Sequence, residues 1–348
     1  MRVLAVSFLI GLNISSLAAQ TPASGNDATL AVHSPTLEDA KALAAKGKLE
    51  QALEELNELA KVQPEAAGVE RLRGIILYQK ELLPEAEAAF AQAVAQDAND
   101  RESMEMRGVT LYRLGRPEEA IPLLEKADTA QVMGANVEPR YVLGLCYAAA
   151  KRYDDARRAF AAQFGFAPDS AEAYLVSARM FLRREFADEA AIFAQKAVEL
   201  NPNLPRAHQL LGEIALAKAD LPLAVKELEQ EAKLNPLDGT LYDRLGDAYL
   251  RSGQPDQAQL ALNKAVLLEP NATGPYILLG ETLTKLGDPI QALHYLQRAV
   301  SMDPSSYIAH NMMGQAYRAL GQMDEANREY KLAVEIQHRN DPKPAQAR

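Results

Sequence analysis

The sequence predicts an all-α chain, a solenoid of stacked antiparallel helix pairs, and three observations carry that prediction. The first is a period. Offset by 34 residues, the chain matches itself through nine repeats, opening at His33, Ala67, Arg101, Val137, Ala171, Pro205, Gly239, Thr273 and Tyr307. Only the step from Arg101 to Val137 is longer, at 36. The second is a pair of small residues in fixed phase. The twentieth place is alanine throughout (Ala52, Ala86, Ala120, Ala156, Ala190, Ala224, Ala258, Ala292, Ala326), and the eighth is glycine except at Ala40 and Ala178. The third is compositional: no stretch alternates as a half-buried strand would, tryptophan is absent, and aromatics are 6%. Such a period, with helical spacing inside it, marks hairpins that bury their apolar faces only against their neighbours.

Each part of the repeat has a physical reason. Two helices of a hairpin approach closely only where no large side chain stands between them, which accounts for the small eighth and twentieth places. The turn between them repeats a device, as in Leu114-Gly115-Arg116-Pro117, Ser252-Gly253-Gln254-Pro255 and Leu286-Gly287-Asp288-Pro289. Glycine supplies a left-handed exit from the first helix, while proline and nearby acids suit the first turn of the second. A closing proline (Pro64, Pro168, Pro202, Pro236, Pro270 or Pro304) then ends the second helix, because the residue before a proline leaves the helical region.

The ends read differently. Arg2, the apolar run 3–12 and the small residues Leu17-Ala18-Ala19 have the order of a secretory signal peptide cleaved after Ala18 or Ala19. Ten apolar residues are too few to span a bilayer, which takes about 20. The expected organisation is therefore a signal peptide at 1–19, a disordered leader at 20–32, about nine tandem repeats over 33–338 and a flexible tail at 339–348. Removing Arg2 with the signal takes the formal net charge from −10 to −11, a poor match to nucleic acid or an anionic membrane.

The in-phase pattern resembles the tetratricopeptide repeat, over residues 34 to about 338. It departs at the fourth place, which is never tryptophan: tyrosine stands there in Tyr174, Tyr242 and Tyr276, histidine in His208 and His310, and Thr36, Glu70, Met104 and Arg140 in the first four repeats. The resemblance implies a right-handed superhelical solenoid whose first helices line a concave groove through the second, fifth, ninth, twelfth and thirteenth places. Carried onto this chain, those places hold Arg71, Tyr78, Tyr112, Arg113, Tyr141, Leu175, Arg179 and Arg183, then Glu213, Asp243, Asp247 and Glu281. The first set mixes aromatic, apolar and arginine side chains, the stuff of protein-binding hot spots; the second is mainly acidic. The lysine–asparagine arrangement with which some members clamp a C-terminal carboxylate is missing from these places.

No glycine loop for phosphates and no nucleophile elbow occurs. The five histidines are scattered at no metal-ligand spacing, and the single cysteine, Cys146, reads as a small core residue. The sequence thus points to a protein without catalytic, cofactor or metal sites. The expected role is a protein–protein interaction scaffold or adaptor in the cell envelope or secretory space, holding partner segments in its groove. A structural subunit of an envelope assembly, or of a polysaccharide or pilus export machine, is the alternative. Its partners would be one or more proteins, a homo-oligomer being compatible, with neither nucleic acid nor a membrane span. The expected compartment is the bacterial periplasm, with secretion as the second choice.

Overall fold

The computed structural model describes residues 34–128 and 138–340. The signal peptide, the leader, the extra residues expected near 130–136 and residues 341–348 of the tail lie outside them. Among the described residues there are eighteen helices and no strand. The chain divides into two compact units, up to Arg152 and from Tyr153. The first holds α1 (Leu37–Ala45) with α2 (Leu49–Val62), α3 (Val69–Gln79) with α4 (Leu83–Gln96), α5 (Arg101–Arg113) with α6 (Pro117–Asp128), and α7 (Glu138–Ala149). The second opens with α8 (Tyr153–Phe164), followed by α9 (Ala171–Arg183) with α10 (Ala187–Leu200) and α11 (Ala207–Ala217) with α12 (Leu221–Leu234). It continues with α13 (Gly239–Arg251) and α14 (Pro255–Leu268), α15 (Thr273–Lys285) and α16 (Pro289–Met302), and α17 (Tyr307–Ala319) and α18 (Met323–Asn340). Within each unit, a helix packs on its hairpin partner and on the pair that follows.

The small eighth place does what the pattern requires, and the structure names what it makes room for. A Cβ on Gly74 would stand 2.6 Å from Phe90, on Gly108 2.6 Å from Leu124, and on Gly246 2.5 Å from Leu262. In each case the intruder lies sixteen residues on, in the second helix, and is almost wholly buried. The repeat from Ala171 carries alanine at both places, Ala178 and Ala194, and both are fully buried.

The turn shows something glycine content alone conceals. The residue two places before each second helix is left-handed at Gly47, Gly115, Gly253, Gly287 and Gly321 (φ 72–81°), but equally at Glu81, Lys151, Glu185 and Ala219 (φ 58–68°). Packing imposes the conformation even where the residue type disfavours it.

Most second helices stop two residues before the closing proline, as at Leu200 before Pro202 and Leu268 before Pro270. The exception is α8, which ends at Phe164, four residues short of Pro168. Gly165 turns left-handed there, and the Phe166 N–H reaches back to the Ala161 carbonyl at 2.9 Å, so a glycine cap ends this helix before the proline does. Some first helices also start late: left-handed Gly68 and Arg206 delay α3 and α11 by two residues from the predicted openings at Ala67 and Pro205, and α1 starts at Leu37, four residues after the predicted opening at His33. At the far end α18 runs to Asn340, two residues past the predicted limit of the array. No helix among the described residues is long and apolar enough to cross a membrane.

Candidate functional site

The predicted groove residues divide between the two units, which do not use them alike. In the first unit most are committed to the chain itself. Tyr78 is buried, at 9% exposure, with the Arg113 guanidinium 4.9 Å above its ring and Arg113 also paired to Glu81. Arg71 bridges Asp100 (Nε to Oδ2, 3.2 Å) and Glu102 (Nη1 to Oε2, 2.9 Å). Tyr112 and Tyr141 are half-buried and likewise engaged within the chain. Arg71, Tyr78 and Arg113, expected to contribute to a hot spot here, instead tie one repeat to the next. They stand on first helices, and of the acids that reach them Glu81 and Glu102 come from the neighbouring repeat.

The second unit differs. Leu175 is half-buried against the Ala171–Ala207 cluster. Arg179 is half-buried and Arg183 exposed, four residues apart on α9, and neither makes an ion pair among the described residues. On α11, Gln209 donates to Glu213 at 3.2 Å. On α13, one carboxylate oxygen of Asp243 is buried without a hydrogen-bond partner. Its other oxygen is 3.9 Å from Arg244, too far to hydrogen-bond. Burial pushes the Asp243 carboxyl above its usual range, Arg244 opposing and Asp247 and Glu269 adding to the rise. Asp247 lies 3.5 Å from Arg251 and Glu281 is paired with Lys285 at 3.0 Å. The face thus offers free cations on α9 and an under-compensated carboxylate on α13.

The fourth place is a structural joint. His208 and His310 are buried, and each ring touches two acceptors. His208 Nδ1 lies 2.6 Å from Glu227 and its Nε2 3.0 Å from the Pro202 carbonyl; His310 repeats this with Glu329 (2.6 Å) and the Pro304 carbonyl (3.3 Å). Tyr276 makes the same reach, donating its hydroxyl to the Pro270 carbonyl at 3.1 Å. The fourth-place side chain thus ties its helix to the turn closing the previous repeat. Sequence reasoning overlooked the acids that complete the joint, although a signal existed. Where the fourth place is His208 or His310, the twenty-third is Glu227 or Glu329; where it is Tyr174 or Tyr276, the twenty-third is Phe193 or Tyr295, and the rings pack at a tilt, 5.4 and 6.2 Å between centroids.

A second buried acid was equally unforeseen. Glu231 accepts from the Arg206 and Gln209 backbone N–H groups at 2.8 and 3.2 Å, capping α11 where no N-cap side chain does so. Cys146 is fully buried and its thiol is pushed up to about 12 by that burial, which suits a core residue. Among the described residues, no group of three or more His, Cys, Asp or Glu side chains could hold a metal ion.

Three family models, each described as tetratricopeptide repeat, match the chain: one over 111–180 and 283–348, one over 37–101 and 83–135, and one over 239–272. Together they span well over half of it. No curated protein is significantly similar. Solved structures of similar helical architecture include MamA from Desulfovibrio magneticus RS-1, at 22% identity, covering 50% of this chain and 98% of that one with a TM-score of 0.47. YrrB, described as a tetratricopeptide-repeat protein with an unusual peptide-binding site, shares 24% identity over 49% of this chain and 89% of its own (TM-score 0.45). The Cut9–Hcn1 hetero-tetramer of the APC/C shares 17% identity over 80% and 54% (TM-score 0.44). At these levels the likeness is one of fold.

Proposed function

The chain belongs to the tetratricopeptide-repeat family, and we propose that it is a non-catalytic scaffold holding segments of partner proteins on its first-helix face. In this reading it is an exported protein of nine repeats, working in the periplasm or secreted. The observation that carries the binding face is the pair Arg179 and Arg183. Elsewhere in the predicted groove the bases Arg71, Arg113, Arg251 and Lys285 are held by acids of the same chain. The α9 pair has no such partner and stands on a helix already made rigid by stacking, so little ordering entropy is lost on contact. Arginine offers a planar fork that grips a carboxylate bidentately, with Leu175 supplying apolar contact alongside. Export rests on the charged, apolar and small-residue order of residues 1–19.

The test is a single capture experiment. The full chain, tagged at its C-terminus and produced in a Gram-negative host, is recovered from the periplasmic extract and its N-terminus sequenced; Ala19 or Gln20 is expected first. Envelope proteins retained by the parent are then compared with those retained by Arg179→Ala/Arg183→Ala. The double variant should lose its partner by about thirtyfold, equivalent to roughly 2 kcal/mol. Equal retention would move the binding surface off this face, and an intact Met1 in the cytosolic fraction would end the export reading.

A further inference from the structure

The helices α9, α11 and α13 are the first helices of successive repeats in one unit, and α11 packs against both of the others. Groove-lining places on them, not all in the same register, carry a sequence of charge. On α9, Arg179 and Arg183 are positive and unpaired. On α11, Gln209 donates a single hydrogen bond to Glu213 at 3.2 Å, which leaves the negative charge of that carboxylate without a cationic partner among the described residues. On α13, Asp243 has one oxygen with no hydrogen-bond partner and only Arg244, 3.9 Å away, as a counter-charge. The helix beyond puts no side chain over this carboxyl, which keeps 18% of its side-chain surface exposed: position 274 is glycine, and the two Asp243 oxygens lie 3.7 Å from where its Cβ would stand. The face therefore runs from free cations on α9, through a carboxylate on α11 held only by a neutral amide, to an under-compensated carboxylate on α13.

We propose that this face selects a dipolar, extended segment of a partner protein, with carboxylates seated on Arg179 and Arg183 and a lysine or arginine about six residues away reaching Asp243. The inference rests on the scaffold reading above and specifies the partner's chemistry. The spacing follows from geometry. Packed neighbouring helices lie about 10 Å apart, so two steps from α9 to α13 cover about 20 Å, and an extended chain rises about 3.3 Å per residue. A partner ammonium or guanidinium supplies the counter-charge that the Asp243 carboxylate lacks. A segment acidic throughout sets its second carboxylate against Asp243, and a basic one sets cations against the arginines, so each loses at one end what it gains at the other.

Capped, amidated twelve-residue peptides carrying a fluorophore decide the matter by polarisation at low salt. One series has two glutamates and two lysines separated by six neutral residues, in both orders. The others are uniformly acidic, uniformly basic, or dipolar with only two residues between the charges. The better of the two six-spaced peptides should bind at least tenfold more tightly than any of the others. Asp243→Asn, which leaves the packing shape intact, should bring the dipolar and uniformly acidic peptides to equal affinity. Arg179→Glu/Arg183→Glu, checked for unchanged helical content, should instead favour the uniformly basic peptide. The proposal is overturned if the uniformly acidic peptide binds the parent as well as the dipolar one does, or if Asp243→Asn changes nothing. Should no peptide bind while envelope capture still depends on Arg179 and Arg183, this inference fails and the scaffold reading stands. If capture is also indifferent to those arginines, both fall.

Discussion

At the scale of single residues, the repeat is built on contacts that glycine permits rather than makes. The Gly246 Cα faces Leu262, and an added methyl would stand 2.5 Å from it. Leu262 is fully buried beneath Ala258 and Leu279 and has nowhere to retreat. Gly246→Ala should therefore destabilise the protein by about 1–3 kcal/mol through overpacking, outweighing alanine's better helix propensity of about 1 kcal/mol. The sharper expectation is non-additivity. Combined with Leu262→Ala, the glycine change should cost much less than it does alone, because the repeat from Ala171 already tolerates alanine at both places. Urea denaturation of the two single variants and the double variant measures the coupling; strict additivity would show that the two positions do not compete for space. Glycine at the eighth place was legible from recurrence alone. Its partner sixteen residues on was not, because leucine, phenylalanine and tyrosine all serve there.

At the scale of the element, α11 shows how a helix with a poor start is secured. It lacks an N-cap side chain and begins after a left-handed arginine, yet α12 sends two buried acids to it: Glu231 to its first backbone N–H groups and Glu227 to His208. Burial pushes Glu227 upward, but hydrogen bonds from Lys226 and His208 more than offset this and hold its carboxyl below the usual range. The sign then follows. A carboxyl lowered on folding contributes fully above its unfolded value, near about 4.3, and loses that contribution as pH falls through the folded value. Glu227→Gln should thus cost about 1–3 kcal/mol at pH 7. It should also flatten the loss of stability on acidification, so that parent and variant converge near pH 3. Unfolding midpoints from pH 7 down to pH 3 check this; parallel curves would mean that the charge of Glu227 contributes nothing. Little of this joint was foreseen, since an acid on a second helix reads as a solvated residue until its depth is known.

At the scale of the whole molecule, the second unit should be the more resistant to opening. Over 239–300 the fourth place holds the buried rings Tyr242 and Tyr276, whereas over 67–128 it holds Glu70, only half-buried, and Met104, buried but without a ring or hydroxyl to tie it to the preceding turn. Repeats act as units coupled to their neighbours, so weaker joints open at lower free energy. Amide hydrogen exchange should be slower across 239–300 than across 67–128, and equal protection would refute the ranking. The sequence by itself determined the helical class, the hairpin, its turn and the small-residue contact, because these are periodic and a period survives any uncertainty about individual side chains. Only the tertiary structure decided which charges are spent and which are free. Arg71 and Arg113 occupy the same kinds of place as Arg179 and Arg183, yet the first two meet acids of the chain and the last two do not. The reason is distance: a place in a repeat sets which way a side chain leaves its helix, whereas an ion pair requires a partner within about 4 Å. That partner comes from another repeat, at a separation the period does not record.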